Sequence, residues 1–153
     1  MEFNGSQHIG ASRAEVWRRL NDHQTLQECL PGCEQFQLQD DGAYDAVIVA
    51  SIGPIKARFK GIARFSNHEE RVGYRIEGNG SGGIAGFGKL NANIRLEDSD
   101  GGTTLHYLAT AQLGGKLAQI GSRLVGSVAN KLLADFFSRF EKLVSERQET
   151  ASP

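Results

Sequence analysis

Cys29 and Cys33 hold the most reactive side chains of this 153-residue chain, three residues apart in Cys29-Leu30-Pro31-Gly32-Cys33. Thiolates ligate zinc and exchange disulfides. A structural zinc needs four ligands, and the chain has no second cysteine pair. His8, His23, His68 and His106 show no ligand spacing with one another. The usual redox spacing is C-x-x-C, one residue shorter. The segment therefore reads as a turn after a short helix, with no bound metal and no obligatory disulfide expected.

Gly78-x-Gly80-x-x-Gly83 spells the dinucleotide fingerprint. That motif works only where a helix follows, because the pyrophosphate sits on the helix N-terminus. Here Ile84 to Glu97 reads as strand, so the glycines mark a flexible hairpin, Gly78 to Gly88, at a sheet rim. His106 lies on a strand face with Thr104 and Thr110, a solvated setting for a lone histidine. No G-x-S-x-G elbow, H-E-x-x-H or acid pair is present. Trp17 sits on the inner face of an early helix, where it serves a core or stacks on a planar ligand.

These residues must be positioned by elements that the hydrophobic period reveals. Glu2 to His8 reads as a short strand. Ser12-Arg13-Ala14-Glu15 reads as a capping box, opening a helix that presents Val16, Trp17 and Leu20 and ends near Asn21-Asp22. A second helix from Thr25 to Leu30 stops at Pro31-Gly32. The period then changes. Ile55, Ala57, Phe59, Gly61, Ala63 and Phe65 alternate with Lys56, Arg58, Lys60, Ile62 and Arg64, as in a half-buried strand. Leu90, Ala92, Ile94 and Leu96 alternate in the same way, as do Leu105, Tyr107, Ala109, Ala111 and Leu113. Turn signals at Asp40-Asp41-Gly42, Gly53-Pro54, Ser66-Asn67-His68 and Asp98 to Gly102 predict an antiparallel meander.

From about Lys116 to Arg147 the helical period returns. Leu117, Ile120, Leu124, Val128, Leu132, Phe136, Phe140 and Leu143 form one stripe. A helix of roughly 45 Å must lie across the sheet as its cover. Gly114, Gly115, Gly121 and Gly126 crowd its first half. Glycine in a helix costs about 1 kcal/mol relative to alanine. Close packing on the sheet, room for a ligand and an N-terminal hinge are equally good reasons for them. The domain is expected to span residues 1–147, with a disordered polar tail at 148–153.

Composition restricts the function classes. With 17 Lys plus Arg against 18 Asp plus Glu, the net charge is −1, and charge is not strongly segregated along the chain. Nothing here argues for nucleic acid. No apolar run is long enough to cross a bilayer, and no signal peptide is evident. Two cysteines make no extracellular disulfide framework, so a cytoplasmic location is expected.

The segments Val16-Trp17-x-x-Leu20-Asn21-Asp22, Cys29-Leu30-Pro31-Gly32-Cys33, Ile52-Gly53-Pro54-Ile55-Lys56-Ala57, Gly114-Gly115-Lys116-Leu117-Ala118-Gln119-Ile120-Gly121-Ser122-Arg123 and Phe136-Phe137 resemble the CoxG family of carbon monoxide dehydrogenase accessory proteins. The resemblance runs from Phe3 to about Leu143. It implies an α+β helix-grip fold of the START/Bet v 1-like, polyketide cyclase-related superfamily. In that fold a curved antiparallel sheet of about seven strands wraps a long C-terminal helix, with two short helices after the first strand. It also implies an accessory role beside a molybdenum hydroxylase, and a bound quinone or lipid in place of any covalent cofactor. The chain lacks the hydrophobic C-terminal extension of some members, so the most that is expected at a membrane is peripheral contact with its inner face.

The leading expectation is a non-enzymatic carrier of a hydrophobic small molecule. The alternatives are a docking or assembly protein without a ligand, and a cyclase- or hydrolase-like enzyme. A smooth apolar cavity would favour the first, a filled core the second and a polar cluster around a base the third. The expected cavity lies under the first half of the long helix, opening near the Gly82–Gly88 hairpin and Gly114-Gly115. Its lining is expected to be Trp17, Phe59, Phe87, Leu90, Tyr107, Leu117, Ile120, Gly121 and Leu124. The second half, with Phe136 and Phe140, is expected to be filled core.

Overall fold

Serine at position 12 starts the first helix as its sequence predicts, by accepting the backbone N–H of Glu15 at 3.2 Å. The computed structural model describes the backbone of residues 1–151 and the side chains of residues 1–144. Strand β1 (Glu2–Ile9) leads through α1 (Arg13–Leu20) and α2 (His23–Cys29) into β2 (Cys33–Leu38). Then follow β3 (Tyr44–Ile52), β4 (Ile55–Glu69), β5 (Gly73–Ser81), a 3-10 turn (Gly83–Ala85), β6 (Phe87–Ser99), β7 (Gly102–Gly114), α3 (Lys116–Gln119) and α4 (Ser122–Ala151). The strands form one seven-stranded sheet in the order β1-β7-β6-β5-β4-β3-β2. Every neighbouring pair is antiparallel. β2 to β7 are a meander, and the two short helices carry the chain from one sheet edge to the other. This is the helix-grip fold.

Four expectations need correction. The capping box closes on one side only, because the Glu15 carboxylate turns to Arg18, at 2.7 Å, and Arg19, at 3.4 Å. Those charge-assisted contacts outcompete the return bond to Ser12. Arg18 chiefly, against a small opposing effect of burial, holds the Glu15 carboxyl below its ordinary range. The turn expected at Ser66-Asn67-His68 is instead an irregularity inside β4, where the register shifts between Ser66 and Glu69. Asn67 takes a φ of 54° there, a conformation asparagine tolerates. The long helix is not continuous, since Ile120-Gly121 separates α3 from α4 and Gly121 has a φ of 94°. An L side chain rarely adopts that conformation, so glycine makes the break here. Finally, the α4 backbone continues to Ala151, through part of the expected 148–153 tail, while Ser152 and Pro153 lie outside the described residues.

The core fills one end of the fold. Ile9, Val16, Leu105, Phe140 and Val144 are fully buried, joined by Leu20, Tyr74, Leu96 and Phe137. Phe140 stacks on Phe136 with centroids 5.9 Å apart, and Phe137 stacks on Tyr107 at 6.0 Å. The second half of the long helix is thus filled core, as expected. α4 also packs on α1 and α2. Between those two helices the buried Arg19 guanidinium donates to the Thr25 hydroxyl at 3.2 Å, so the charge is hydrogen-bonded rather than stranded.

Candidate functional site

In an antiparallel sheet, residues paired across strands share a face, so register sorts the concave side into rows. At the filled end one row is Tyr74, Ile94, Tyr107 and Gly5, and the next is Phe65, Ile76, Ala92, Ala109 and Phe3. Toward the other end the side chains shrink. One row there is Ala63, Gly78, Leu90 and Ala111, and the next is Ala46, Gly61, Gly80, Gly88 and Leu113. Ile48 and Phe59 pair beyond them. A floor of glycine and alanine cannot reach up to a helix that larger residues hold off elsewhere. The space shows in the accessibility: Leu90 faces inward yet is 40% exposed, against 5% for Leu96 on the same strand and face.

The roof is the first half of α4, where Val125, Val128, Ala129 and Leu133 are only half-buried. Leu124 lies against Gly53 at the β3–β4 tip, and the Met1 side chain reaches Gly126 from the β1 side. The small floor rows carry no ionisable side chain. Such a groove favours a neutral apolar body, held by burial rather than by charge.

The expected lining residues divide into three groups. Phe59, Leu90 and Tyr107 do share the concave face, with Tyr107 at the boundary of the filled end. Leu117 is buried beside Gly86 and Ile120 is half-buried, both in the α3 segment that closes one end. Leu124, 37% exposed, packs on Gly53, and Gly121 is exposed with nothing within 4 Å of a Cβ built there. Phe87 shares a row with Ser81 and Lys60, which is the convex face, and its ring covers Gly114. Trp17 stands edge-on to Tyr74 at 5.6 Å and to His68 at 6.2 Å, inside an aromatic cluster at the filled end. Ile48, Ala63, Gly78 and Ala111 join the floor without having been expected there. The alternation of β4 and β7 carries the signal for Ala63 and Ala111, whereas β3 and β5 have no clear alternation to mark an inner face.

The other chemistry-bearing residues sit elsewhere. A surface hollow of about 580 Å³ is lined by Gln24, Gln27, Glu28, Leu30, Gly32, Cys33, Glu34, Val49 and Arg139, none of them an expected ligand contact. Burial chiefly, with the Glu28 charge adding to it, pushes the Cys29 thiol up to about 11. Burial also raises the Cys33 thiol, which donates to the Gln35 carbonyl at 3.2 Å. Both thiols are thereby kept protonated, the form that neither ligates metal nor attacks disulfides. Among the described residues no group of three or more His, Cys, Asp or Glu is placed to hold a metal ion. A 3-10 turn and then strand β6 follow Gly83, so the fingerprint glycines lack their helix. His106 is on the convex face, 2.9 Å from the Glu97 carboxylate.

Comparison with known proteins places this geometry. The model of the carbon monoxide dehydrogenase CoxG family matches residues 5–145. A conserved protein of Geobacillus kaustophilus superimposes with a TM-score of 0.90 at 31% identity, over 95% of this chain and 96% of that one. Ara h 8.0201 gives a TM-score of 0.68 at 14% identity, over 95% and 98%. The Zhui aromatase/cyclase of Streptomyces sp. R1128 gives 0.69 at 11% identity, over 99% and 98%, a likeness of fold alone. No curated protein matches the chain.

Proposed function

The chain belongs to the CoxG family of carbon monoxide dehydrogenase, and we propose that it is a non-enzymatic carrier of a hydrophobic small molecule, a quinone or lipid, serving a molybdenum hydroxylase of the carbon monoxide dehydrogenase type. One observation carries the ligand half of this reading. The concave face has a half-open, uncharged floor of glycine and alanine, on which Leu90 stays 40% exposed. Burying apolar surface stabilises by about 25 cal/mol per Å², so a ring with a short prenyl chain binds there without a charge pair. The partner half rests on the family. An enzyme reading has less support, since no nucleophile or base stands on the floor rows.

The test is a calorimetric titration with a short-chain prenylated naphthoquinone, paired with native mass spectrometry. Gly78→Leu is the informative variant. A Cβ at Gly78 would have its nearest neighbour, Leu90 Cβ, at 3.8 Å, so the branch fits the backbone and fills the groove above it. The expectation is one-to-one binding by the wild type, weakened about tenfold or more in the variant as apolar contact is displaced. Absence of binding by the wild type would return the protein to the docking or assembly reading.

A further inference from the structure

Charge that looks evenly mixed along the sequence is sorted by the fold. The stretches 46–68, 78–96 and 101–134 contain no Asp or Glu at all, but carry Lys56, Arg58, Lys60, Arg64, Lys89, Arg95, Lys116, Arg123 and Lys131. The topology brings their turns to one rim. The β3–β4 tip touches Leu124 through Gly53, Gly82 lies on Phe59, and Gly86 abuts the backbone of Lys116 and Leu117. Lys56, Lys60, Lys89, Lys116 and Arg123 are exposed around this rim, and none is ion-paired among the described residues. The opposite rim bears Asp40, Asp41, Glu69, Glu70, Asp98 and Asp100 in its turns. A net charge of −1 thus conceals a molecule with a basic end and an acidic end.

The basic rim also holds the most exposed large apolar side chain. Ile84, on the 3-10 turn between Gly83 and Ala85, is 86% exposed, and Phe87 beside it is 57% exposed. We propose that this rim is a docking surface for an anionic lipid bilayer, with Ile84 and Phe87 entering the headgroup layer and the surrounding lysines and Arg123 meeting the lipid phosphates. A protruding aliphatic tip ringed by flexible cations suits a soft anionic interface. An acidic protein would need a matched surface for Ile84, and nothing on this rim forms a rigid socket for one. Among the described residues no helix is long and apolar enough to cross a membrane, so this contact is peripheral. The account of what docking achieves rests on the carrier reading: it would set the end of the groove near Leu124 and Phe59 against the source of an apolar ligand.

The experiment is co-sedimentation with vesicles of phosphatidylcholine alone and of phosphatidylcholine with phosphatidylglycerol, at low and high salt. The wild type should bind the anionic vesicles only, and release with salt. Lys56→Glu/Lys60→Glu/Lys89→Glu should weaken partition roughly a hundredfold. Ile84→Ser should weaken it several-fold with the salt dependence intact. Lys142→Glu, on the far half of α4, should leave it unchanged. Thermal melting and the naphthoquinone titration are run on each variant. Failure of the wild type to bind anionic vesicles, or equal loss in Lys142→Glu, overturns the docking surface, whatever the titration gives. Vesicle binding without quinone binding would instead sink the carrier reading and leave the docking surface standing.

Discussion

From Leu133 to Val144, α4 rests on Tyr107, Ile94 and their neighbours, and Phe140 and Val144 are wholly buried. From Ser122 to Leu132 the same helix spans a floor of glycine and alanine, and Leu124 and Leu132 are 37% and 36% exposed. The helical period is similar in both halves. What differs is the sheet beneath, where side chains on the same strands fall from tyrosine and isoleucine to glycine within a few rows. One face therefore supplies stability at one end and a groove at the other, and stability and binding should respond to different substitutions.

The largest separation should come from Phe140→Ala. Removing a fully buried phenyl that stacks on Phe136 should cost about 3–5 kcal/mol in chemical unfolding. Quinone affinity should change less than threefold under conditions where the variant is folded. A large loss of affinity in the folded variant would show that the two ends are coupled.

A second measurement probes the filled end by pH. Burial lifts the Cys29 thiol from its ordinary 9.0 to about 11. The folded state holds this proton more tightly than the unfolded state, so the contribution is complete below pH 9 and is lost as pH rises through the folded value. The stability difference between the wild type and Cys29→Ala should fall by on the order of 2 kcal/mol between pH 8 and pH 11. A difference independent of pH would mean that the thiol is not held in an apolar setting.

Gly121→Leu gives a smaller effect, and its meaning changes with the structure. Under a continuous helix the substitution should fill the cavity. With Gly121 at a φ of 94° and open space around it, the leucine should cost about 1–2 kcal/mol in backbone strain and leave binding unaltered. Loss of binding at unchanged stability would restore the continuous helix.

These outcomes trace what was legible. Strands β4, β6 and β7 were readable because each has one wet face, so apolar and polar residues alternate. β3 was not, because Val47, Ile48, Val49 and Ala50 are apolar on both faces and period two disappears. The break at Gly121 was hidden because the apolar spacing continues across it, and a φ has no letter of its own. That break resets the phase, which is why the expected stripe put Leu124 and Leu132 inward when both are partly exposed. Phe87 was readable in principle, since it alternates in step with Lys89 on the outward side of β6. Trp17 was not, because the half-buried side of a short helix does not say which end of the groove it meets. The sorting of charge to one rim was invisible because it depends on which turns the topology places together.

The smallest expected effect tests the comparison most directly, on a single strand. Leu90 and Leu96 are the same residue type, on the same strand and the same concave face, at 40% and 5% exposure. Leu96 belongs to the core cluster, so Leu96→Ala leaves a cavity and should cost about 2–5 kcal/mol. Leu90 lies over the open floor, where water already takes the place of packing atoms. Its truncation opens no closed void and forfeits only the part of its burial that exists, so Leu90→Ala should cost less than about 1 kcal/mol. The order should reverse in the quinone titration. Leu90 supplies apolar surface to whatever occupies the groove, so Leu90→Ala should weaken binding several-fold, while Leu96→Ala should not once the protein is folded. Equal stability losses at the two positions would mean that the groove is closed and packed in solution. The concave face would then be core along its whole length, with no room for a ligand.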